Sequence, residues 1–70
     1  MNNAVQKRIK QMLEKTEAIK SDCNRLLEEL KAVETGDDLD VIEMRADSIE
    51  NCAKEIYDIC RNTYDEFEEE

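Results

Sequence analysis

The chain predicts an all-α protein, an antiparallel helical hairpin that dimerises into a four-helix bundle. Three observations lead there. Apolar residues recur at alternating steps of three and four through both halves of the chain. Turn formers are almost missing, with no proline and Gly36 the single glycine. The rest is dominated by Glu, Lys, Asp, Ile, Leu and Ala, a helix composition, with aromatics only at Tyr57, Tyr64 and Phe67.

The first helix is expected at about residues 4–34. Its stripe runs Val5, Ile9, Met12, Thr16, Ile19, Cys23, Leu26, Leu30 and Val33, a strict heptad seam. Leu13 and Leu27 widen it on one side. A turn at 35–37 follows. Gly36 sits where a left-handed helix cap is expected, and Asp37 or Asp38 can cap the next helix. The second helix is expected at about 38–67, on Leu39, Ile42, Ala46, Ile49, Ala53, Ile56, Cys60, Thr63 and Phe67. Cys52, Tyr57, Ile59 and Tyr64 flank that seam. Each helix would run roughly 45 Å at 1.5 Å per residue, and so short a connection makes them antiparallel.

Seventy residues form one domain at most. A chain this short seldom buries enough apolar surface to stand alone. The stripes are also wider than one helix contact can cover. Pairing of two hairpins covers them; docking on a different protein is the rival arrangement.

Charge supports the fold-back. Residues 1–35 hold seven Lys/Arg against six Asp/Glu, and residues 36–70 hold three against thirteen. The hairpin sets Lys7, Arg8, Lys10 and Lys15 beside the acidic end of helix two, at Asp58, Asp65, Glu66 and Glu68. The net charge of −9 repels phosphate and anionic lipid and favours basic partners. Direct nucleic-acid binding and membrane contact are therefore not expected. No apolar run approaches the ~20 residues that cross a bilayer, and the N-terminus lacks a secretory h-region. A cytoplasmic home, with reduced thiols, is the default.

The segment "ENCAKEIYDIC", Glu50 to Cys60, poses the question of a metal or redox site. A thiolate metal site needs four convergent ligands, usually in C-x-x-C pairs or with histidine. Histidine is absent from the sequence, and Cys52 and Cys60 are two turns apart. Packing is the better reading, because a buried cysteine behaves as a small hydrophobe. A Cys23–Cys52 bridge fits the expected register only under oxidation. No cofactor is implied. No base sits beside a Ser or Cys nucleophile, there is no phosphate loop, and paired acids such as Glu14 and Glu17 are ordinary solvated faces. The chain reads as a non-enzyme.

"AKEIYDIC", Ala53 to Cys60, resembles the second helix of the Rop family of small RNA-binding hairpins. "LLEEL", Leu26 to Leu30, is similar to that family's run into its turn, and Cys23 falls on its threonine layer. The resemblance implies an antiparallel dimer with alternating small and large core layers. Ala46, Ala53 and Cys60 against Ile42, Ile49 and Ile56 suit that scheme. The family's RNA-binding face maps to Lys7, Glu14, Ala18, Asp22 and Glu29, where three carboxylates would repel phosphate.

The function expected is that of a small acidic regulator, an inhibitor, adaptor or antagonist that binds another protein of basic surface. Candidate contact residues are Leu39, Val41 and Met44 near the turn, the carboxylates Asp47, Glu50 and Asp58, and Tyr57 and Tyr64, since tyrosine is enriched at interface hot spots. Alternatives are a Rop-like RNA binder, a nucleic-acid mimic, and an oligomer that holds a small anionic ligand with Lys7, Arg8, Lys10 or Arg25.

Overall fold

The computed structural model describes residues 3–68, and side chains as far as Glu66. It contains two helices, α1 (Asn3–Lys31) and α2 (Gly36–Glu68), and no strand among the described residues. They pack antiparallel into a hairpin of 54 × 15 × 10 Å. The expected seam residue Phe67 has its side chain outside the described part.

The turn differs from the expected one. α1 ends at Lys31, and the connection spans residues 32–35. Gly36 has no positive φ; it opens α2 instead of terminating α1. The entry is organised by Asp38, whose carboxylate reaches back. Its Oδ2 accepts from the Glu34 N–H at 2.9 Å, the Thr35 N–H at 3.0 Å and the Thr35 hydroxyl at 3.3 Å. This is the return arm of a capping box, with Thr35 in the cap position and Asp38 three residues on. A carboxylate at the positive end of the helix satisfies donors that lack an intrahelical partner.

The seam is rotated from the expected one. Four apolar residues of α1, Val5, Met12, Ile19 and Leu26, face Ile42, Ile49, Ile56 and Thr63 of α2. Val5 is fully buried, Thr63 nearly so, and the others are half-buried. The Thr63 hydroxyl donates to the Ile59 carbonyl at 2.7 Å, so it enters the core satisfied. The second row expected in the seam stays outside it. Thr16, Cys23 and Leu30 of α1 are exposed, as are Leu39, Ala46, Ala53 and Cys60 of α2.

The covered row holds the larger apolar side chains, and a charged row flanks it. Arg8, Lys15, Asp22 and Glu29 recur every seven residues on α1 and are half-buried beside the seam. Arg8 pairs with Glu66, and Lys15 with Glu55. Arg45 donates to Glu29 at 3.0 Å and lies 3.8 Å from Asp22. Ser48 donates to Asp22 at 3.3 Å. Turning each helix toward this charged row lets long side chains lay their stems across the contact and pair at their heads. The apolar stripe is too wide for one neighbour, so its far row is left open.

Candidate functional site

Two surfaces of the hairpin carry the candidate residues. The first is a broad apolar face. In each helix the uncovered row lies one position past the charged flank, and in an antiparallel pair the equivalent flanks of both helices fall on one side. A depression of about 200 Å³, lined by Ile9 and Met12 of α1 and Cys60, Thr63 and Tyr64 of α2, shows that they do so here. Leu13, Leu27, Leu30, Leu39, Tyr57 and Tyr64 on this face are each between 52% and 64% exposed. Thr16, Cys23, Ala46 and Ala53 fill the spaces between them. The Arg61 guanidinium lies over the Tyr57 ring, 5.9 Å from its centroid, which orients that ring at the edge of the face.

Opposite is the polar side, where Lys15, Asp22 and Glu29 meet Glu55, Ser48 and Arg45. The Arg45 hydrogen bond holds the Glu29 carboxyl below its ordinary range. The same contact, seen from the other partner, raises Arg45. The hydrogen bond to Glu55 raises Lys15. These groups are locked in register and are not presented to a ligand.

The second surface is the outer side of α2. A shallow groove of about 560 Å³ is lined by Asp40, Glu43, Met44, Ala46, Asp47 and Glu50. Met44 is 74% exposed. The candidate turn patch divides here. Helical spacing puts Leu39 on the broad apolar face, in line with Ala46, whereas Met44 stands among the carboxylates and Val41 lies toward the polar side. Asp58 is exposed on the same outer surface, two turns beyond the groove.

The candidate anion-binding residues do not form one cluster. Lys7, Lys10 and Arg25 are exposed, whereas Arg8 is committed to Glu66. The three cysteines are free thiols in different settings. Cys52 is half-buried and its thiol donates to the Lys15 carbonyl at 3.4 Å. Cys23 and Cys60 are exposed on the broad face, so packing within the chain accounts for Cys52 alone. Cys23 and Cys52 occupy different sides of the hairpin, which removes the register argument for a bridge.

Among the described residues, no group of three or more His, Cys, Asp or Glu side chains could hold a metal ion. No helix there is long and apolar enough to cross a membrane. Sequence reasoning named the apolar residues of the broad face but assigned several to the seam; the heptad spacing of Arg8, Lys15, Asp22 and Glu29 was the overlooked signal.

Fold and surface together define an all-α hairpin with one apolar row covered by its own second helix and one uncovered. Compared with known protein families, curated proteins and solved structures, the chain matches none.

Proposed function

We propose that this chain is a non-catalytic binding protein, a small acidic regulator that acts on another protein of basic surface as an inhibitor, adaptor or antagonist. Its working unit is a homodimer, a four-helix bundle, and it works in the cytoplasm. The observation that supports this reading is the separation of surfaces. One long side is apolar and suited to permanent contact. The outer side of α2 is acidic, with Met44 exposed beside Asp40 and Asp47, while Glu43 and Glu50 stand on the edge it shares with the apolar side. Apolar anchors ringed by charge are the usual composition of a contact that must also release. Net charge of −9 per chain steers basic partners toward it.

The test is capture of a basic protein by the wild-type chain and by a variant with Asp47 and Asp58 both changed to Lys. These side chains are exposed, so the hairpin should fold unchanged by circular dichroism. Loss of capture supports the acidic surface as the contact. Equal capture by both proteins overturns it.

A further inference from the structure

We infer that the broad apolar face is the dimer interface, and that a second copy of this chain, laid along its full length, is what covers it. This deepens the homodimer of the proposed function by assigning its contact surface. Three observations favour a second copy over a foreign partner.

The first is extent. The broad side measures 54 × 15 Å, a footprint of roughly 800 Å² per partner, which is what stable specific interfaces bury. The second is spacing. The uncovered rows of both helices keep the sevenfold repeat, Ile9, Thr16, Cys23 and Leu30 on α1 and Leu39, Ala46, Ala53 and Cys60 on α2. Such rows interdigitate with helices of the same pitch, and another hairpin supplies two. The third is volume. The central residues of both inner rows are small, Thr16 and Cys23 on α1 and Ala46 and Ala53 on α2, which lets a second pair of helices approach closely along the middle of the face.

In the dimer Cys23 and Cys60 become buried while the setting of Cys52 stays the same. The experiment measures molar mass by light scattering and, on the same samples, the alkylation rate of each cysteine by maleimide, read by peptide mass spectrometry. The expected mass is twice 8.2 kDa. Alkylation of Cys23 and Cys60 should slow roughly tenfold or more where the dimer dominates and recover on dilution. Cys52 should not follow concentration. Leu27→Glu, at an exposed position of the hairpin, should weaken the dimer at least about tenfold and release both thiols. Ala18→Glu, on the polar side, should do neither. If Leu27→Glu fails to fold, the wild-type alkylation rates decide alone.

A folded wild-type chain of single mass overturns the inference and the homodimer with it, and leaves the face to a foreign partner. Double mass with Cys23 and Cys60 still reactive overturns the assigned face and leaves the homodimer standing.

Discussion

Asp38 shows how one side chain can set the geometry of a turn. Backbone N–H groups of Glu34, and then of Thr35, hold its carboxyl below the ordinary 3.8. A carboxylate with a depressed folded-state pKa stabilises the fold above its unfolded value, and that stabilisation is lost as pH falls through the folded one. Asp38→Asn should therefore melt a few degrees below wild type at neutral pH, with the gap closing in acid as pH falls through the folded value. Thermal melts at both pH values check this; a constant gap would mean that charge is not the cause. Glu29, held down by Arg45, adds to the same acid sensitivity. Lys15 has the opposite sign. Its raised pKa lends stability below the ordinary 10.5 that is lost as pH rises through the folded value. Cys52 and Cys23 show that residue type alone did not decide burial: the thiol on the charged flank is covered and the one in the heptad stripe is not.

In α2 the residue that misleads is Gly36. A lone glycine between two helices has two uses, a left-handed terminator or an ordinary first helical position, and composition does not separate them. The backbone takes the second, and a Cβ there would meet nothing within 4 Å. Gly36→Ala should then stabilise the hairpin by about 0.4–1 kcal/mol, because it narrows the unfolded ensemble without straining the folded one. A lowered melting temperature would restore the left-handed cap. The two helices also show how an apolar stripe and a charged row compete for one neighbour. Arg8, Lys15, Asp22 and Glu29 win a place beside the seam because Glu66, Glu55 and Arg45 meet them there. Exposed or half-exposed pairs of this kind contribute little each. They flank the row that buries more apolar area, since Val5, Met12, Ile19 and Leu26 with Ile42, Ile49 and Ile56 turn inward and Thr16, Cys23, Ala46 and Ala53 stay in the open row.

For the molecule as a whole, the small covered core and the large uncovered face belong to one account. A hairpin with Val5 as its single fully buried side chain among the described residues has little core to stand on. The proposed association adds the missing layers. It also brings two chains of −9 together, a repulsion that salt screens over about 8–10 Å at moderate ionic strength. Raising salt from low to moderate levels should strengthen the dimer, and light scattering across a salt series would show it. Weakening with salt would mean that cross-chain ion pairs hold the dimer instead of the apolar face. The same series separates the two surfaces, because binding of a basic partner to the outer side of α2 should weaken as salt rises.

Helix, turn and second helix were legible from the residues because a sevenfold apolar repeat has one economical conformation and a near absence of glycine and proline leaves one place to bend. The membership of the apolar face was legible too, residue by residue. The rotation of each helix about its own axis was not, and it determines which of the two rows is covered and which is offered. Spacing along one helix fixes relative angles only. The absolute angle is set with partners distant in sequence, Ile42, Ile49 and Ile56 in the seam and ion pairs such as Arg45 with Glu29 and Arg8 with Glu66 beside it, and those meet only once the chain has folded back.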